Sequence, residues 1–145
     1  PVVALWRGPR VWKVALQEEA FVPARRLSLP MPGLIFLCRP AQAPSVFAVK
    51  MRPASPDVKV YHAPCFNVFG DGRVCPGTHR FPTVLQEIPE SFFLSHFSLT
   101  GDTHNRSLAF PKDLLARWES LDGKRRYPLD DLVHQCTIGT LLEKG

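Results

Sequence analysis

The sequence predicts one α+β domain spanning residues 1–145: an antiparallel meander of about four strands, a loop dense in Cys, His and Gly, then two or three helices. Three observations predict it. Short apolar runs bounded by turn residues fill the first sixty positions. Helix signatures with Pro at the first position begin only near residue 89. Fifteen prolines and nine glycines in 145 residues cut the chain into short elements and argue against a plain helical bundle.

Residues 2–7 and 11–16 are rich in Val, Leu and Trp and flank the turn dipeptide Gly8-Pro9, so they read as a hairpin. Residues 34–38 and 46–51 read as a second hairpin about a linker at 40–44. A Pro-rich connection at 51–56 leads to a short strand at 58–61. Pro89-Glu90 then opens a short helix in which Phe93 and Phe97 form an i,i+4 pair. Residues 111–121 give the clearest helix. Pro111 opens it, Leu114, Leu115, Trp118 and Leu121 share one face, Asp113 and Arg117 sit four apart, and Gly123 ends it. Residues 128–133 start a third helix, with Asp130 and Asp131 in its first turn.

The composition, 45% hydrophobic and 21% charged, belongs to a globular chain that buries one core. No apolar run approaches the roughly 18 residues of a membrane span, so no membrane partner is expected. The start lacks the basic-then-apolar order of a secretion signal, which points to the cytoplasm. The chain also lacks an initiator Met, so Pro1 reads as a trimmed start with an N-terminal part of the natural protein missing. Cys38, Cys65, Cys75 and Cys136 are too sparse for a disulfide scaffold and read as reduced thiols, with Cys38 and Cys136 buried. Residues 1–80 hold eleven Lys and Arg against four Asp and Glu, a net +7, while residues 81–145 hold seven against nine, a net −2. A basic half suits nucleic acid or an acidic partner, but interspersed charges are more often a solvated face, and nucleic acid is not the expected partner.

Residues 61–82 hold two of the four cysteines, two of the five histidines and three of the nine glycines. Three readings compete there. One is a Gly/Pro-rich loop with inert buried thiols. Another is a zinc site from His62, Cys65, Cys75 and His79, which has the right ligand types but not the usual Cys-x2-Cys spacing, so no metal is expected. The third is nucleophilic. The Asp71-Gly72 turn folds the chain back so that Asn67 approaches Cys75, and an Asn amide can donate to the oxyanion formed when a thiolate attacks a carbonyl. His79, four residues after Cys75, is a candidate base or ligand, and Asp71 a candidate for orienting an incoming lysine. His96, His104 and His134 fit no readable pattern, and Trp118 with Phe92, Phe93 and Phe97 reads as core.

The stretch from Asn67-Val68 through Gly72 to Val74-Cys75 resembles the active-site segment of ubiquitin-conjugating enzymes, the UBC-like fold. In that family a His-Pro-Asn tripeptide precedes an aliphatic residue, a turn with Gly, another aliphatic residue, and then the catalytic Cys eight residues after the Asn. Here Asn67 and Cys75 keep the spacing, Val68 and Val74 the aliphatic positions and Gly72 the turn. The string from Ala63-Pro64 through Gly72-Arg73-Val74-Cys75-Pro76-Gly77-Thr78-His79 is most similar to the prokaryotic UBC-like family D, a branch that includes members of the PRTRC system. Its gene neighbours encode a ThiF-like activating enzyme, a small ubiquitin-like protein and a JAB-type peptidase. Cys65 and Phe66 stand where the His and Pro of the tripeptide would be, and His62 is the candidate to fill that structural role from another place. No amphipathic helix precedes the first strand.

The resemblance implies a carrier that takes a ubiquitin-like protein onto Cys75 as a thioester and passes it to an amine, with Asn67 stabilising the oxyanion. It implies no cofactor on this chain, because the activating enzyme uses the ATP. The alternatives are a UBC-like module that only binds a ubiquitin-like partner, and a plasmid-associated nucleic-acid-binding domain.

Overall fold

The strands divide between two sheets. The computed structural model describes residues 1–144 and gives β1 (Val3–Arg7), β2 (Arg10–Gln17), β3 (Arg25–Met31), β4 (Gly33–Cys38), β5 (Ser45–Val49), β6 (Lys59–His62), β7 (His96–Ser98) and β8 (His134–Thr137). One sheet has the order β1-β4-β5-β6-β8 and the other β3-β2-β7. Three helices follow or interrupt them: α1 (Ile88–Leu94), α2 (Leu114–Leu121) and α3 (Ile138–Lys144). The α+β class matches the sequence expectation, but the meander is not consecutive and α3 lies where no helix was expected. Among the described residues no helix is long and apolar enough to cross a membrane.

The first expected hairpin does not form. β1 pairs antiparallel with β4, from Val3↔Cys38 to Arg7↔Leu34, while β2 pairs with β3, from Arg10↔Met31 to Leu16↔Arg25. Pro9 cannot take the positive φ of the commonest two-residue hairpin turn. The Gly8-Pro9 pair instead carries the chain from one sheet to the other. β3 is missing from the sequence expectations, because Pro30 interrupts its Leu27, Leu29, Met31 alternation and Pro demotes a run. The second hairpin forms as expected, β4 on β5 from Gly33↔Val49 to Leu37↔Ser45.

Apolar residues cover both faces of the five-stranded sheet, which explains the unbroken apolar run of β4. Leu34, Phe36, Val46, Ala48 and Tyr61 face the main core, shared with the second sheet, α1 and α2. Ile35, Leu37, Phe47, Val49 and Val60 face the other way and pack on Ile138 and Leu141 of α3. Trp118 joins the aromatic centre of the main core with Phe92, Phe93 and Phe97, and all four are buried. Trp12 stacks on Phe93 at 4.1 Å, and Phe97 meets Trp118 edge-on at 5.3 Å.

Three local expectations are corrected. Phe97 is not helical: α1 stops at Leu94, Ser95 turns extended with its hydroxyl on the Phe92 carbonyl, and Phe97 enters β7, parallel to β2. α2 starts after Asp113, not at Pro111, because the Asp113 carboxylate accepts from the Ala116 N–H at 3.0 Å and caps it. Residues 128–133 form a single 3-10 turn, Leu129–Asp131, and no third helix. Asp131 is buried there. Its carboxylate accepts from the Ala109 N–H and the Tyr127 hydroxyl, both at 2.8 Å, and Arg117 lies 3.6 Å away. Those contacts turn the chain into β8, which pairs with β6. Cys38 is buried as expected, but Cys136, on the edge strand β8, is only half-buried.

Candidate functional site

Between β6 and α1 the chain makes a tight hairpin-like loop. The Cys75 N–H donates to the Asn67 carbonyl at 2.7 Å, and Val68 and Val74 form an antiparallel bridge. The turn closes with the Phe69 N–H on the Arg73 carbonyl at 2.8 Å and the Gly72 N–H on the Phe69 carbonyl at 2.9 Å. So the Asp71-Gly72 turn does bring Asn67 back to Cys75. The inner side of this loop is stitched to the start of β5. The Val46 N–H donates to the Gly72 carbonyl at 2.8 Å and the Val74 N–H to the Pro44 carbonyl at 3.0 Å. Gly72 has φ +94°, and a Cβ there would stand 2.3 Å from the Phe47 ring, so no larger residue fits.

The approach to the loop is also fixed. The Trp118 indole N–H donates to the Pro64 carbonyl at 2.8 Å, and Phe66 meets the Trp118 ring edge-on at 4.8 Å. Cys65, between them, is buried with its Sγ 3.8 Å from the Met31 sulfur. Burial pushes its thiol up to about 12, against a small opposing pull from Arg106. That thiol is inert as a nucleophile.

Asn67 adopts a left-handed backbone, φ +63°. Its side chain is pinned to β7: Nδ2 donates to the His96 carbonyl at 2.9 Å, and Oδ1 accepts from the Ser98 N–H at 3.1 Å. Cys75 is exposed and opens onto a groove of about 820 Å³. His79 lines the same groove, half-buried, with Nε2 hydrogen-bonded to Ser91 Oγ at 2.9 Å and its ring edge-on to Phe81. The far wall runs along residues 98–103, where Ser98, Thr100, Gly101, Asp102 and Thr103 line the groove. Asn67, Cys75 and His79 therefore meet at one groove.

Asp71 and His62 do not. The Asp71 carboxylate is taken by Arg73, through the Arg73 backbone N–H at 3.0 Å and Nε at 2.7 Å. Slight burial opposes ionisation, but these bonds win and hold the carboxyl below its ordinary range. His62 lies on β6, where its backbone N–H reaches the Val133 carbonyl. Partial burial, then the nearby Arg106 and His134, hold its imidazole below the usual value. The four residues of the zinc reading are dispersed, and among the described residues no group of three or more His, Cys, Asp or Glu is placed to hold a metal ion. His96, His104 and His134 all have exposed side chains.

The sequence reading missed the groove's far wall and the β7 carbonyl that receives Asn67. Neither carries a local motif, since both are backbone features delivered by the parallel pairing of β2 with β7.

The sequence model of prokaryotic E2 family D matches residues 2–135, from before β1 into β8. The chain belongs to prokaryotic E2 family D. No curated protein and no solved structure matches it. Membership associates this family D domain with ubiquitin-like conjugation, and in general with ubiquitin-like proteins and their activating enzymes.

Proposed function

We propose that this family D domain accepts a ubiquitin-like protein on Cys75 as a thioester and transfers it to an amine, in a UBC-like arrangement. The observation that carries the reading is the exposed Cys75 thiol at the groove, on the loop that Asn67 closes, while Cys65 on the same segment is sealed in the core. In the first step the Cys75 thiolate attacks the carbonyl of the modifier's C-terminal thioester. The activating enzyme's thiolate leaves and a new thioester forms on Cys75. In the second step an amine attacks that carbonyl, Cys75 leaves as thiolate, and the amine proton passes to a base. ATP is consumed by the activating enzyme, a ThiF-like protein, and a JAB-type peptidase is the expected opposing activity in such a system.

Asn67 has two jobs in this reading. It braces the loop through β7, and its second Nδ2 hydrogen, unused by His96, is the donor for the developing oxyanion. His79, at the groove, is the candidate base. Asp71 is held by Arg73 and has the lesser claim on an incoming lysine. His62, away from the groove, serves the loop's structure rather than its chemistry.

The test is incubation with the activating enzyme, ATP and ubiquitin-like protein, read on a gel with and without thiol reductant. A reductant-sensitive adduct is expected for the wild type, for Cys65→Ala and for Cys38→Ala, and none for Cys75→Ala. An adduct on Cys75→Ala overturns the reading. Asn67→Ala is expected to slow discharge to an amine by about 10²–10³. A binding-only module is the second reading. The commitment of both Asn67 amide atoms to β7 favours it, and a wild type that binds the modifier but never charges would establish it.

A further inference from the structure

Arg106 is the one strongly buried cation among the described residues, 3% exposed. None of the described ion pairs gives it a carboxylate. The Asp102 carboxylate acts on it only through space, and its hydrogen bond goes to the His104 backbone N–H at 2.9 Å. The guanidinium is spent on two carbonyls: Nη1 donates to Val68 at 2.9 Å and Nη2 to Asp102 at 3.3 Å. A buried charge whose hydrogen bonds all go to carbonyls is a poor device for stability, since an apolar side chain of the same shape would fill the space without losing hydration. The use of the fork lies in what it joins.

Val68 follows Asn67 and bridges Val74, the residue before Cys75. Asp102 belongs to the far wall of the groove. Arg106 therefore joins the loop that carries Cys75 to the 98–103 stretch that lines the groove. Its own position is fixed on both sides. Asn105 is left-handed, φ +61°, with its N–H on the Pro111 carbonyl at 2.7 Å. Ser107 is buried and its hydroxyl accepts from the Phe110 N–H at 3.0 Å.

We propose that Arg106 is a positioning residue that ties the Cys75 loop to the 98–103 wall and so sets the width of the groove through which an acceptor amine reaches Cys75. The acceptor part rests on the thioester reading above, and the tie itself does not. An ammonium has no fork with which to hold both carbonyls, and a thioether holds neither. Two variants therefore test the tie, Arg106→Lys and Arg106→Met, in two measurements. The first is native-state hydrogen exchange. The Cys75 and Val74 amides are expected to exchange at least tenfold faster in both variants, with core amides of β4 unchanged. The second is single-turnover discharge of the charged protein with free lysine as acceptor. The apparent KM is expected to rise at least fivefold, with the saturated rate within twofold of the wild type.

If Arg106→Met fails to fold, Arg106→Lys carries both measurements. Wild-type exchange at Cys75 and Val74 in Arg106→Lys overturns the tie. Faster local exchange with an unchanged KM overturns the groove-width assignment. A wild-type protein that never charges overturns the thioester reading, and the tie is then decided by exchange alone.

Discussion

Cys65 and Cys75 sit on one segment, yet they are different chemical objects. Cys65 lies between Pro64, held by the Trp118 indole, and Phe66, packed on the same ring. Its thiol is sealed against Met31 and pushed up to about 12. Cys75 lies between buried Val74 and the exposed Pro76-Gly77 and is itself exposed. The difference shows that the flanking anchors, not the residue type, decide whether a cysteine is sealed in the core or exposed. The inner half of the segment is locked into the core so that the outer half can be presented without moving.

Two glycines give the sharpest way to break this contrast. Both have positive φ, Gly72 at +94° and Gly77 at +56°. A Cβ at Gly72 would run into the Phe47 ring, while at Gly77 nothing lies within 4 Å. Gly72→Ala is expected to cost about 3 kcal/mol or more, combining overpacking with backbone strain. Gly77→Ala should cost about 1 kcal/mol, from strain alone. Urea unfolding of the two variants side by side measures both. Equal losses would mean that the loop is not wedged against β5.

The cysteines themselves come next. Cys65→Ser places a buried hydroxyl where the described hydrogen-bond partner is a thioether, and is expected to cost about 1–3 kcal/mol. Cys75→Ser, on the surface, should stay within about 0.5 kcal/mol. Alkylation of the folded protein with iodoacetamide adds a chemical reading. The fastest-labelling thiol should vanish in Cys75→Ser and persist in Cys65→Ser. Rapid labelling of Cys65 in the native state would break the comparison.

The outer half of the segment was legible in the sequence because its determinants are local. The eight-residue spacing is closed by the Cys75 N–H on the Asn67 carbonyl, the turn by the Phe69 and Gly72 N–H groups, and the two valines bridge each other, all within the loop. The second hairpin was legible for the same reason. What escaped were choices made at long range. Whether residues 2–7 pair with 11–16 or with β4 depends on which sheet needs an edge, and no local pattern states that. Asp131 carries the signature of a helix start, but a buried Tyr127 hydroxyl and the Ala109 N–H claim its carboxylate. Arg106 has no signature at all, since its partners are two backbone carbonyls 38 and four residues away.

The smallest expected effect is on pH dependence, and it comes from the inner half. Burial, then Arg106 and His134, lower the His62 pKa in the folded protein. The unfolded chain, with an ordinary histidine near 6.5, therefore binds the proton more readily as the pH falls. In that window the unfolded state carries more protons, so stability rises with pH and is lost on acidification from about 6.5 downward. The loss levels off once the folded-state pKa is passed. Asp71 and Glu90, whose carboxyls are held low, lose their contributions only at more acidic pH. Unfolding free energies between pH 7.5 and 5.5 should thus fall in the wild type and fall less in His62→Gln. Arg106→Met should flatten the slope in part, because it removes the second cause and leaves the first. A His62→Gln profile that tracks the wild type across this range would show that the inner half of the segment is open to water at β6, and the division between a sealed half and a presented half would have to be drawn after residue 62.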